Sequence, residues 1–279
     1  MTSFFGVSGT PGPDEVARAR TAKMLTWEGL ARALDEGVAR ERSAALIDAT
    51  YGMDAILAAK AGGVRAAVPV EASGQEELVF EYADWQTRLR EIDPKWAKVL
   101  VRYDPDGDAE MNRAQRSKMR GVTQRCRDAG RGFMLEVLVP PSPTRLAAVG
   151  SDRARYNAEM LPDLLVRAID EIRLDEVAPD VWKIEGLDRT EDCSAVAQTA
   201  GATCIVLGKG ADRDAVDRWL RAAAPVPGFD GFAIGRSIWW DPLQAFFAEG
   251  QTDEGRERAV AAIAAEFRRY VGVWEDASG

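Results

Sequence analysis

The feature that most limits how this chain can fold is a beat. Short runs rich in β-branched and aromatic residues recur, each followed by a longer stretch of helical periodicity. Strands are predicted at Ala44–Ala49, Arg65–Val70, Trp96–Tyr103, Gly132–Val139, Val181–Leu187, Thr203–Leu207 and Phe232–Ile238, with Phe4–Val7 as an eighth at the front. Helical patterns fill the gaps at Pro13–Lys23, Trp27–Val38, Met53–Ala61, Asp84–Ile92, Ala109–Ala129, Tyr156–Val177, Glu191–Thr199, Arg213–Ala223 and Asp253–Tyr270. Such alternation implies a parallel sheet, because parallel neighbours need a crossover long enough to hold a helix. Eight units in 279 residues predict an α/β chain folded as a single (β/α)8 TIM barrel. No composition break divides the chain. One domain over residues 1–279, with N-terminal and C-terminal helical extensions, is therefore expected. Pro140-Pro141-Ser142-Pro143-Thr144 reads as a stiff loop after its strand.

Composition removes whole classes of chemistry. The chain has no histidine, which excludes Ser-His-Asp and Cys-His catalysis and zinc sites that rely on imidazole. Protons must move on carboxylates, lysine, tyrosine or water. Cys126, Cys193 and Cys204 show no metal-ligand spacing, so buried, reduced thiols are expected, with no metal and no cofactor. A net charge of −9 without a basic patch argues against nucleic acid. The apolar runs are too short for a bilayer, and the first residues lack a signal-peptide pattern, so no membrane and a cytoplasmic location are expected.

Against that background the run Val181-Trp182-Lys183-Ile184-Glu185 stands out. The pleat of a strand puts Trp182 and Ile184 on one face and Val181, Lys183 and Glu185 on the other. A desolvated lysine gives up its proton more readily, and the free amine can attack a carbonyl to form a Schiff base. The competing reading is a strand-edge lysine facing solvent. In Lys98-Val99-Leu100-Val101-Arg102, the two cations Lys98 and Arg102 share one face. They suit an anionic substrate or a charge that depresses a neighbouring lysine; a salt bridge inside the barrel is the alternative. Glu136, alone within Met134-Leu135-Glu136-Val137-Leu138, needs a cationic partner or a role in proton transfer. Glycine-rich strand ends at Gly208-Lys209-Gly210 and Gly235-Arg236 suit a phosphate. Three features carry less. Gly6–Gly12 lacks the lysine of a P-loop, Asp104–Asp108 reads as a solvated turn, and Trp239-Trp240 reads as a packed helix entry.

Taken in order, Leu46-Ile47-Asp48-Ala49-Thr50-Tyr51-Gly52, Lys98–Pro105, Leu135-Glu136-Val137, Val181–Glu185 and Gly235–Trp239 resemble class I aldolases of the tagatose-bisphosphate type. The likeness is nearest to the 2-deoxy-5-keto-gluconate 6-phosphate aldolase-like domain fused to 5-dehydro-2-deoxygluconokinases of inositol catabolism. The resemblance implies that Lys183 forms the Schiff base, with Lys98 and Glu136 assisting proton transfer. It also implies that Gly208, Gly210, Gly235 and Arg236 hold the substrate phosphate; Arg102, on the cationic strand face, and Asp48, in the first matching run, are expected as further substrate contacts. The implied activity is a metal-independent aldehyde-lyase acting on a phosphorylated keto sugar or keto acid. One such reaction is cleavage of 6-phospho-5-dehydro-2-deoxygluconate to dihydroxyacetone phosphate and malonate semialdehyde. Tagatose bisphosphate and sulfosugar phosphates stand as alternatives. Relatives carry Asp-Gln-Arg-Gly or Asp-His-Arg-Gly on the first strand, and Met1–Gly12 has neither, so a non-catalytic sugar-phosphate-binding regulator is the rival reading. The expected partner is a small sugar-phosphate substrate, with homo-oligomerisation left open.

Overall fold

Seven strands follow one another through the chain: β1 (Ala44–Leu46), β2 (Arg65–Pro69), β3 (Trp96–Arg102), β4 (Gly132–Leu138), β5 (Val181–Glu185), β6 (Thr203–Leu207) and β7 (Phe229–Ala233). In this computed structural model, which describes residues 2–6 and 9–279, they form a sheet in the order β1-β2-β3-β4-β5-β6-β7. The register is parallel at β1–β2 and at every step from β3 to β7. Sequential parallel order with helical crossovers is the arrangement of a TIM-like α/β fold. The helices are α1 (Pro13–Asp35), α2 (Ala49–Ala61), α3 (Trp85–Ile92), α4 (Ala109–Asp128), α5 (Pro143–Ala148), α6 (Arg153–Glu159), α7 (Leu161–Leu174), α8 (Thr190–Ala200), α9 (Arg213–Ala223), α10 (Arg236–Ala248) and α11 (Asp253–Ser278).

Contacts gather the chain into two units, one of residues 1–68 and 234–273, the other of 69–233 and 274–279. In the first unit α1 lies along α2, and ion pairs Glu28–Arg256 and Arg32–Glu257 tie α1 to α11. The eighth strand expected at Phe4–Val7 is not formed. Thr2–Phe5 is a turn of 3-10 helix, and Val7 lies outside the described residues. The reason is aromatic packing. Phe4 meets Trp240 edge-on at 4.7 Å between ring centroids, and Phe5 meets Phe247 at 5.0 Å, so these rings anchor the segment on α10. Seven strands rather than eight are thus present among the described residues.

The second unit carries β3 to β7. Along β3 the buried residues Val99 and Val101 alternate with the half-buried Leu100 and Arg102, and all five residues of β5 are buried. Two sequence expectations shift here. The helix expected over Tyr156–Val177 is broken into α6 and α7, because Pro162 in the first turn of α7 has no N–H to extend a preceding helix. The last strand begins at Phe229 and ends at Ala233, so Arg236–Ile238 belong to α10 rather than to a strand. The loop at Pro140–Thr144 becomes helical at Pro143, where Ser142 Oγ accepts the Arg145 N–H at 3.3 Å. In the first unit, the two helices expected between Pro13 and Val38 are one continuous α1.

Candidate active site

The candidate site is assembled from consecutive parallel strands of the second unit. In the register of β4 and β5, Glu136 stands opposite Lys183. Lys98 on β3 pairs with Met134, two residues before Glu136, so its long side chain must reach forward along the sheet to meet the carboxylate. It does so. Lys98 Nζ lies 2.9 Å and Lys183 Nζ 3.0 Å from the same atom, Glu136 Oε2. All three residues are buried.

The fourth member was not read from the sequence. Glu71, just beyond β2, accepts a hydrogen bond from Lys98 Nζ on Oε1 at 2.5 Å, while its buried Oε2 has no hydrogen-bond partner. The Val70 N–H donates to the Lys98 carbonyl at 3.0 Å, which brings the residue beside β3. The segment is pinned further out: Gln115 Oε1 on α4 accepts the Leu78 N–H at 3.1 Å, and Glu71 bridges Phe80. The cluster is therefore a chain of alternating charge, Glu71–Lys98–Glu136–Lys183.

Its electrostatics separate the two lysines. Burial and the Lys98 cation together outweigh the attraction of Glu136 and hold Lys183 below the ordinary lysine range. Burial also disfavours the charge on Lys98, but two carboxylates outweigh it and hold that ammonium above its usual value. Glu136 is disfavoured as an anion by burial, yet the two ammonium groups bring it below the usual carboxylate range. Glu71 behaves oppositely: burial dominates, and its carboxyl is raised. The arrangement can therefore supply a free amine, a carboxylate beside it and a fixed cation.

Glu185 shares a face with Lys183 in the strand pattern, but it does not pair with it. Its Oε2 accepts the Val139 N–H at 2.8 Å, and its Oε1 is ion-paired with Lys209. Tyr156, whose hydroxyl donates to the Val139 carbonyl at 2.9 Å, is pushed up to about 12 by burial and by Glu185. Lys209 sits in the turn that follows β6. The Ala211 N–H donates to the Gly208 carbonyl at 2.9 Å, with Lys209 at φ 52° and Gly210 at φ 75°. Gly210 thus supplies a left-handed conformation that most residues resist. Arg102 Nη1 donates to the Gln75 carbonyl at 2.6 Å.

The remaining sequence candidates belong to the first unit. Asp48 caps α2 by accepting the Tyr51 N–H at 3.1 Å and is ion-paired with Lys23, which together lower its carboxyl despite burial. Gly235 is the N-cap of α10 and Arg236 its first residue. The Asp104–Asp108 segment is a turn, as its sequence suggests. The Gly107 N–H donates to the Asp104 carbonyl at 2.9 Å, Arg145 binds Asp104 and Asp106, and Asp108 caps α4. Burial pushes all three cysteine thiols up to about 12, so thiolate chemistry is remote from neutral pH. Among the described residues no helix is long and apolar enough to cross a membrane.

The crystal structure of Cgl0159 from Corynebacterium glutamicum shares the fold, with a TM-score of 0.53 at 16% identity over 87% of this chain and 77% of that one. No curated protein matches the chain. A family model described as an uncharacterized protein conserved in bacteria (DUF2090) matches residues 10–278, and the chain belongs to that family.

Proposed function

We propose that the protein is a class I aldolase that cleaves a phosphorylated keto sugar or keto acid through a Schiff base on Lys183. One observation carries the reading: a buried lysine held below the ordinary range, 3.0 Å from a carboxylate that a second, firmly charged lysine also contacts. That is what amine nucleophilicity at neutral pH requires.

Lys183 Nζ attacks the substrate ketone, and the carbinolamine hydroxyl leaves as water on a proton that solvent delivers through Glu136, which returns to the carboxylate. The resulting iminium draws electrons. Glu136 takes the proton from the hydroxyl next to the breaking bond, the C–C bond cleaves, and its electron pair moves to the iminium to give an enamine. The aldehyde leaves; protonation of the enamine and hydrolysis return the second product and free Lys183. Lys98 stays charged throughout and stabilises the negative charge that develops beside it. Gly208 and Gly210 in the turn after β6, with Arg102, are the proposed substrate and phosphate contacts of the second unit; for Gly235, Arg236 and Asp48 of the first unit the same role rests on the resemblance alone. The resemblance points to 6-phospho-5-dehydro-2-deoxygluconate as substrate, with tagatose bisphosphate and sulfosugar phosphates as the alternatives.

The test is reductive trapping. Incubation with dihydroxyacetone phosphate or keto-sugar phosphates and borohydride yields a mass adduct on Lys183. Absence of that adduct across a broad panel sinks the aldolase reading. Phosphate-ester binding without an adduct favours a sugar-phosphate-binding regulator, the reading that the missing first-strand motif keeps in play.

A further inference from the structure

The two lysines of the cluster are nearly equivalent toward Glu136. Each meets the same oxygen, at 2.9 and 3.0 Å, and each is buried. Glu136 therefore cannot decide which lysine keeps a proton when the cluster holds only one. The charged groups facing Lys183 are Glu136 on β4, Lys98 on β3 and Glu71 after β2. On β6 the residue in register with it is Ile205, and Glu185 is committed to Lys209. The asymmetry must come from Glu71, which touches Lys98 at 2.5 Å and whose second oxygen has no other partner to divide its charge.

We infer that Glu71 is a positioning residue that assigns the positive charge of the cluster to Lys98 and so leaves Lys183 as the free amine. The inference rests on the Schiff-base role of Lys183 for its purpose, but not for its measurement. Without the Glu71 charge, one proton would be shared between two lysines held by one carboxylate, and each would be neutral for a comparable part of the time. The physical content is the desolvated pair: in a buried site a carboxylate at contact distance outweighs small differences between two otherwise similar ammonium groups.

The test is competitive labelling with acetic anhydride, which reacts only with unprotonated amines, followed by site-resolved mass spectrometry across pH. In the wild-type protein Lys183 is expected to become reactive at lower pH than Lys98. Identical titration of the two overturns the inference without any variant. In Glu71→Gln the Lys98 to Lys183 labelling ratio at pH 8 should rise about tenfold toward unity, since one unit of relative pKa is a tenfold change in free amine. An unchanged ratio in folded Glu71→Gln, with folding checked by circular dichroism, also overturns it. Glu71→Asp, which retains the charge, should restore much of the wild-type ratio. Borohydride trapping on the same preparation separates the two ideas. A labelling asymmetry that depends on Glu71 without any trapped adduct sinks the aldolase reading alone, whereas an adduct on Lys183 with no asymmetry sinks the role of Glu71 alone.

Discussion

Lys98 and Lys183, on strands separated by β4, direct their Nζ atoms at a single oxygen of Glu136. Sharing makes the carboxylate the hinge of the site. Its charge is favoured by two cations, and theirs depend on it in turn.

Lys183→Met is the most direct probe. Glu136 keeps Lys98, so no buried charge is orphaned and the fold should survive. Turnover of a keto-sugar phosphate should fall by on the order of 10³-fold or more, and the borohydride adduct should vanish. Stability adds a second readout. Lys183 is lowered in the folded chain, so between that lowered value and the ordinary lysine value the unfolded chain binds more protons, and stability rises with pH. The variant should lose that alkaline rise, measured as urea midpoints from pH 7 to 10. Retention of the rise would place it on another group.

Glu136→Gln keeps the shape and removes the charge. At pH 6 it leaves Lys183 with no carboxylate in contact and should cost about 3 kcal/mol, the usual scale for removing one partner of a buried pair. The cost should shrink toward pH 9, where Lys183 can relieve it by releasing a proton. The acid limb behaves differently. Because the folded Glu136 carboxyl is lowered, its contribution is complete above the unfolded glutamate value and is lost as pH falls through the folded one. Chemical denaturation at pH 3, 6 and 9 checks both limbs, and a loss that does not vary with pH would contradict them.

How much of this could be read from residues alone depended on range. β3, β4 and β5 are legible because β-branched and apolar residues dominate them, and Lys98, Glu136 and Lys183 stand out as charges within those runs. The pattern puts β7 too late in the chain because Asp230 and Gly231 interrupt its apolar run, and Gly231 takes φ 151°. Phe4 and Phe5 look like a strand by propensity, but their rings are claimed by Trp240 and Phe247, more than two hundred residues away. Glu71 lies past Pro69 in a polar stretch that reads as a loop. Only the pairing of Val70 with Lys98 brings it to the site. The one available signal was a glutamate directly after a strand end, where α/β sites are built. Glu185 shows the reverse. Alternation puts it on the face of Lys183, but its cation lies in the turn after β6, at Lys209.

Gly186, directly after β5, tests how strongly packing holds the Lys183 strand. A Cβ there would run into the indole of Trp219 on α9, which is itself buried. Flat ring atoms cannot yield as a flexible side chain would. Gly186→Ala should therefore cost about 2 kcal/mol, the scale of overpacking in a tight interior. It should also lower trapping on Lys183 by shifting the end of its strand. A fully stable Gly186→Ala protein would mean that Trp219 has room to move.

Lys209 combines a backbone cost and an electrostatic gain in one residue, and two substitutions separate them. It holds a left-handed φ of 52° and pairs with Glu185, whose side chain is almost wholly buried. Lys209→Met loses the pair and keeps the strained backbone, so Glu185 retains the Val139 N–H but loses its cation. Because Lys209 is itself 39% exposed, solvent screens the pair, and the loss should be about 1–2 kcal/mol. Lys209→Gly loses the same pair but relieves the left-handed strain, which recovers about 1 kcal/mol. The glycine variant should therefore unfold at higher denaturant than the methionine variant. In a Glu185→Gln background the methionine substitution should cost much less, because no buried charge is left for Lys209 to serve. Equal losses in both backgrounds would show that Lys209 acts through its other contacts rather than through Glu185.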